Sequence, residues 1–193
     1  MKPERRAFAM EGLRVVRAEG EPPKIVGHAA VFNSLSEDMG GWKEQIMPGA
    51  FAGVLGDDVR ALWNHDPNHV LGRTRNKTLS LAEDAKGLLI ENTPPDTQMA
   101  RDLLLLIERG DVSQMSFSFN VAAGGSQWAE EGGTVVRTIL KFARLWDVSP
   151  VTFPAYPETD VAVRELRAWK EALVPSPDLD LRSRRLKLTE RGL

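Results

Sequence analysis

The sequence predicts a mainly β domain with flanking helices, and three observations carry that prediction. Between Val59 and Asn92, short apolar runs alternate with clusters of turn-forming residues, the spacing expected of short strands in an antiparallel barrel or sandwich. The segment Gln114-Met115-Ser116-Phe117-Ser118-Phe119-Asn120-Val121 alternates apolar and polar residues strictly. Such a period of two sets Met115, Phe117, Phe119 and Val121 on one face of a strand and Ser116 and Ser118 on the other. Long helical patterns are confined to a stretch after Pro94 and another after Asp160.

Taken in order, Lys24 to Phe32 reads as a strand running into a loop, Asn33 to Gly41, rich in Ser, Asp and Gly. Pro48 is tolerated at the start of a helix, so a short one is expected from Pro48 to Leu55. Asp57-Asp58 breaks to a strand at Val59 to Trp63, and Asn64-His65-Asp66-Pro67-Asn68 is a turn. Strands follow near Val70–Arg73, Thr78–Ala82 and Leu88–Asn92. The clearest helix opens at Pro94-Pro95-Asp96-Thr97, where Asp96 or Thr97 can cap the first turn. Met99, Leu103, Leu104, Leu106 and Ile107 form its apolar face, and Gly110 can end it in a left-handed conformation. The alternating strand comes next, then a hairpin-like excursion carrying Trp128 and a long strand from Thr134 to Val148. Ser149 to Pro157 reads as irregular, because each proline removes a backbone donor. Asp160 caps a helix from about Val161 to Leu173. The chain thus divides into an N-terminal segment (1–23), a domain (24–174) and a charged tail (175–193).

Formal net charge is −2, so the molecule as a whole carries no electrostatic footprint for nucleic acid. Without cysteine there are no disulfides, thiolate metal ligands or thiol nucleophiles, which suits a reducing cytoplasm. The charged start Met1 to Arg6 leads into no long apolar region, and the apolar run Leu103 to Ile107 is far too short to span a bilayer. A soluble intracellular protein without membrane contact is expected, with no cofactor and no bound metal.

Three side chains could carry chemistry. Ser116 on a rigid strand can aim its hydroxyl at a partner, although strand-face serines are commonly plain solvated surface. No G-x-S-x-G elbow is present, so a nucleophile here must sit on a strand, and periodicity does not separate Ser116 from Ser118. Among His28, His65 and His69, the last two stand four apart, but Pro67 between them argues against a helical metal pair. His65, beside Trp63, could serve as a general base if its other ring nitrogen were oriented. Alternation along the long strand sets Leu140, Phe142, Trp146 and Val148 on one face and Asp147 with Ala143 and Leu145 on the other. A carboxylate there needs a partner if buried, and an imidazolium, Arg144 or a backbone N–H would each serve.

Larger blocks surround these residues: Gly27-His28-Ala29-Ala30-Val31-Phe32-Asn33, Glu44-Gln45-Ile46-Met47-Pro48-Gly49-Ala50-Phe51, Leu62-Trp63-Asn64-His65-Asp66 and Val70-Leu71-Gly72-Arg73-Thr74. Glu108-Arg109-Gly110 then leads to Met115-Ser116-Phe117-Ser118-Phe119, and Leu145-Trp146-Asp147-Val148-Ser149-Pro150-Val151-Thr152-Phe153-Pro154-Ala155-Tyr156 closes the series. In this order, over residues 24–165, the chain resembles the phage prohead maturation proteases, serine proteases related to the herpesvirus assembly protease, assemblin.

The resemblance implies an antiparallel β-barrel surrounded by a few α-helices. It also implies a triad of Ser116 as nucleophile, His65 as base and, by order and block, Asp147 as acid, where assemblins use a second histidine. The family often has glycine at the position of Ser118. Arg144 is a further contributor to consider for the oxyanion. The implied substrate is the major capsid protein or its scaffolding segment, cut inside the immature prohead in the bacterial host cytoplasm. Self-digestion is common in the family, and the tail after Pro175 suits a tether or self-cleavage region. Assemblins depend on dimerisation, which makes a homodimer part of the same expectation. Two other readings compete: a non-enzymatic scaffold or assembly factor that keeps the fold, and a metal-dependent hydrolase built on His65, His69 and carboxylates.

Overall fold

In the computed structural model, which describes residues 3–8, 12–153 and 160–173, the short apolar runs become strands and the two long helical patterns become helices. The strands are β1 (Glu4–Phe8), β2 (Arg14–Val16), β3 (Lys24–Val31), β4 (Trp42–Ile46), β5 (Arg60–Trp63), β6 (Asp66–Arg73), β7 (Leu79–Glu83) and β8 (Gly87–Asn92). After helix α1 (Gln98–Arg109) come β9 (Gln114–Val121), β10 (Ser126–Glu131), β11 (Thr134–Ile139) and β12 (Phe142–Val151), and α2 (Asp160–Leu173) follows. The chain forms two compact units, Met1–Glu158 and Thr159–Leu193. No helix among the described residues is long and apolar enough to cross a membrane. The expected tail, residues 175–193, and the capping side chain of Asp160 lie outside the described residues.

The strands of the first unit make three sheets, ordered β1-β9-β12-β5-β6, β10-β11-β4 and β2-β3-β8-β7. Their pairings close no barrel among the described residues. Two of them, β12 with β5 and β11 with β4, are parallel, so the arrangement is not the wholly antiparallel one expected. β1 and β2 precede residue 24, where the domain was expected to begin, and both are hydrogen-bonded into sheets.

One core joins these sheets and α1. Phe51, Phe117, Phe119 and Phe142 are almost wholly buried, and Phe142 lies 4.4 Å from Phe51 and 4.9 Å from Phe119 between ring centroids. Burying each ring contributes about 1.5–3 kcal/mol, so the apolar face of β9 is anchored independently of the serines on its other face. Helix α1 begins where Thr97 accepts from the Ala100 N–H at 3.3 Å and ends at Gly110, φ 84°. Its buried stripe is Ala100, Leu103, Leu104 and Ile107.

The structure corrects three local expectations. Pro48 to Leu55 is not a helix but a chain of turns, with Ala50 N–H to Met47 O, Ala52 to Gly49 and Val54 to Phe51. Gly49, at φ 87°, reverses the handedness there and stops a helix from propagating. The long strand breaks into β11 and β12 because Leu140 and Lys141 both donate to Gly125 O, at 2.8 and 3.0 Å, which carries the chain from one sheet to another. A Cβ on Gly125 would fall on the Lys141 carbonyl oxygen, so this crossing needs glycine. Finally, Ser149 to Val151 belong to β12. Pro150 is tolerated because the β12–β5 ladder ends at Val148 opposite Ala61, so its missing N–H costs that pairing nothing.

A buried ion cluster ties β1 to the three-stranded sheet. Arg6 donates from Nε to Glu44 at 2.8 Å and from Nη2 to Glu4 at 2.9 Å. Arg137 Nη1 reaches Glu4 at 2.9 Å and Glu44 at 3.1 Å. All four side chains are at most 2% exposed. The Arg6 guanidinium also lies over the rings of Trp42 and Phe119.

Candidate active site

The site grows from two strands and a hairpin. β9 and β12 run antiparallel, with Ser118 opposite Asp147 and Ser116 opposite Ser149. On the other side of β12, β5 and β6 are joined by the two-residue turn Asn64-His65, closed by Trp63 opposite Asp66. Both turn residues have positive φ, 56° and 57°, as a type I′ hairpin demands. Asparagine tolerates that conformation, but in a histidine it costs on the order of 1 kcal/mol. The cost is offset by a latch at the tip. Asn64 N–H donates to Pro150 O at 3.0 Å, its Nδ2 to Thr152 Oγ1 at 3.2 Å, and its Oδ1 accepts from Thr152 N–H at 2.9 Å. The turn is therefore fastened to the end of β12, with His65 over the face that carries the polar residues of β9.

A bulge decides which residues of β12 share that face. Unbroken alternation would pair Asp147 with Leu145 and Trp146 with Val148. The ladder instead shifts between Leu145 and Asp147, and the extra residue, Trp146, turns outward and donates its indole N–H to Asn120 at 2.7 Å. Leu145 thereby joins Phe119 on the core face and Val148 joins Phe117, while Asp147 and Ser149 both take the face of Ser116 and Ser118.

On this face His65 Nδ1 lies 2.5 Å from Asp147 Oδ1, and His65 Nε2 lies 2.7 Å from Ser116 Oγ. A carboxylate only accepts, so Nδ1 carries the proton and Nε2 accepts from the Ser116 hydroxyl. Ser118 Oγ is on the acid side instead, 3.3 Å from Nδ1. Geometry thus separates two hydroxyls that alternation left equivalent. Burial pushes the Asp147 carboxyl up. The His65 hydrogen bond and charge, with hydrogen bonds from Ser118 and Ser149, outweigh it and hold the group below the ordinary carboxylate range. A hydroxyl on the basic nitrogen of an oriented imidazole is an activated nucleophile in waiting.

The model of the caudovirus prohead serine proteases matches residues 12–172 of the chain. This chain belongs to that family. The prohead protease of Enterobacteria phage HK97 is 30% identical over 145 residues, covering 75% of this chain and 61% of that relative. The chain therefore spans less than two thirds of the relative's length. No solved structure matches.

The other candidates in this prohead serine protease family member lie elsewhere. His28 Nε2 bonds Asp84 at 2.8 Å. That bond, helped by the Gly87 and Lys86 N–H groups, lowers the Asp84 carboxyl to about 2. His69 sits 3.5 Å from Asp66, with its ring tilted against Trp63 at 5.8 Å between centroids. Among the described residues no group of three or more His, Cys, Asp or Glu is placed to hold a metal ion. Arg144 is opposite Asn120, roughly 13 Å along the strand from Ser116, and its guanidinium lies over Trp146 and beside Asp57. Two residues that sequence reasoning missed belong to the site. Ser149 donates to Asp147 Oδ1 at 2.8 Å, and Asn64 fastens the histidine turn. The signal for Ser149 was its spacing of two from Asp147, obscured by the neighbouring prolines.

Proposed function

We propose that this chain is a serine endopeptidase of phage prohead maturation, with Ser116, His65 and Asp147 as its triad. The observation that carries the reading is the Ser116 Oγ to His65 Nε2 contact of 2.7 Å with a buried carboxylate on the opposite ring nitrogen, in a member of the prohead serine protease family. The Ser116 oxygen attacks the scissile carbonyl as His65 takes its proton. The tetrahedral adduct collapses to an acyl-enzyme, and His65 returns the proton to the leaving amine. Water then repeats the relay and frees Ser116. Asp147 holds the imidazole tautomer and balances its cation.

The substrate is the major capsid protein or its scaffolding segment, enclosed with the protease in the immature shell in the host cytoplasm, and the tail after Pro175 is a self-cleavage region. Co-expression with the capsid protein tests this. Processing should occur with the unaltered chain and cease with Ser116→Ala, and processing that persists in Ser116→Ala would refute the assignment. No processing by the unaltered chain would favour the non-enzymatic scaffold. An intact C-terminus by mass spectrometry in active enzyme would refute self-cleavage alone.

A further inference from the structure

The acid of the site has more hydroxyl partners than a three-residue relay needs. Asp147 Oδ1 takes both His65 Nδ1–H at 2.5 Å and the Ser149 hydroxyl at 2.8 Å. Ser118, directly across the ladder from Asp147, stands 3.3 Å from Nδ1 and helps hold the carboxyl below its ordinary range. Both serines are buried, 1% and 0% exposed, so each gives up hydration that only a good partner restores. Their positions are set by the ladder: Ser118 lies directly across from Asp147, and Ser149 is the next residue on the same face. Around them the neighbouring charged groups are already engaged or turned to solvent. Arg60, across from Asp147 on β5, pairs with Asp58. Asp66 and His69 on β6 pair with each other. Arg5, across from Ser118 on β1, is exposed. Among the described residues, the ion pair of Asp147 is the one with His65.

We propose that Ser118 and Ser149 are positioning residues, a pair of hydroxyls that clamp the Asp147 carboxylate in the orientation His65 requires and keep it charged in a buried setting. The inference rests on the triad reading above. It assigns Ser118 a task on the acid side, distinct from that of the nucleophile. Without the clamp, the carboxylate is less stabilised and binds a proton, or the imidazolium beside it, more strongly. The histidine–carboxylate pair then titrates at higher pH.

The test is the rate at which a fluorophosphonate labels Ser116, measured from pH 5 to 9, which needs no knowledge of the natural substrate. Ser149→Ala and Ser118→Ala should each slow labelling about tenfold, the loss expected for a hydrogen bond to a charged group, and move the acid limb to higher pH. Ser149→Thr, which keeps the hydroxyl, should restore the wild-type limb. In proton NMR, the His65 Nδ1–H resonance should shift and exchange faster with water in the alanine variants. Should an alanine variant fail to fold, Ser149→Cys, close in shape but a poor donor, makes the same comparison. Unchanged labelling, acid limb and Nδ1–H signal in folded variants would overturn the clamp while leaving the triad standing. Absence of Ser116 labelling in the unaltered protein would overturn the triad, and the NMR comparison would still decide the clamp.

Discussion

Replacing Arg6 with methionine is the sharpest test of what holds β1 in place. Arg6 balances two carboxylates, with Nε on Glu44 at 2.8 Å and Nη2 on Glu4 at 2.9 Å. Without it, Glu4 and Glu44 share Arg137, whose Nη1 is already 2.9 and 3.1 Å from them. Breaking a buried charge set by removing one member costs about 3–5 kcal/mol, because the charge left behind stays desolvated. With a urea slope of about 2 kcal/mol per M, the unfolding midpoint should fall by roughly 2 M. Charge balance makes a second prediction. Arg6→Met combined with Glu44→Met leaves Glu4 with Arg137, a neutral pair, and should be more stable than Arg6→Met alone. Urea unfolding followed by tryptophan fluorescence measures all three proteins. A loss below about 1 kcal/mol for the single variant, or a double variant no more stable than Arg6→Met, would refute the argument.

Asp147→Asn should lower the rate of Ser116 labelling by on the order of 10³–10⁴-fold with little change in fold, since it disturbs the imidazole tautomer more than the packing. A loss under tenfold would remove Asp147 from the triad. The same variant has a pH signature. The folded-state carboxyl of Asp147 is held below its ordinary value, so its stabilisation is complete above the unfolded value of about 3.9 and is lost as pH falls through the folded one. Between pH 5 and 3 the wild type should therefore lose more stability than Asp147→Asn, and equal losses in urea titrations would contradict the assignment. Gly87→Ala would set a Cβ on the Ala30 carbonyl oxygen, a backbone atom with no freedom to retreat. Thermal unfolding should show it destabilised by about 1–3 kcal/mol, and an unchanged midpoint would mean that β3 and β8 can part locally.

Much of this was legible in the chain because the relevant signals are local. The period of two in Gln114–Val121 and the Thr97 and Gly110 caps act within a few residues, and those elements formed where they indicated. The turn expected over Asn64–Asn68, by contrast, is confined to Asn64-His65, and β6 already begins at Asp66. What stayed hidden depends on partners distant in sequence. Trp146 looks like one more alternating residue until β9 pairs with β12 and leaves it as the extra residue of a bulge. Nothing local marks Glu4, Arg6, Glu44 and Arg137 as partners, since only the meeting of β1, β4 and β11 buries them together. Pro48 and Pro150 follow a similar pattern. Proline constrains its own backbone, but whether it opens a helix, sits in a turn or ends a strand ladder is decided by the neighbouring strands.

The pairing of β1 with β9 also bears on timing. β1 is synthesised ahead of its partner β9, and Glu4 meets Arg137 only 133 residues later. At ordinary synthesis rates that delay is on the order of 10 s. His65 waits in the same way, for Ser116 51 residues on and for Asp147 82 residues on. A chain interrupted before β12 has the histidine and the serine but neither the acid nor the strand that aligns them. On the triad proposed above, such fragments should be inert, with hydrolytic competence arriving only when β12 has been added.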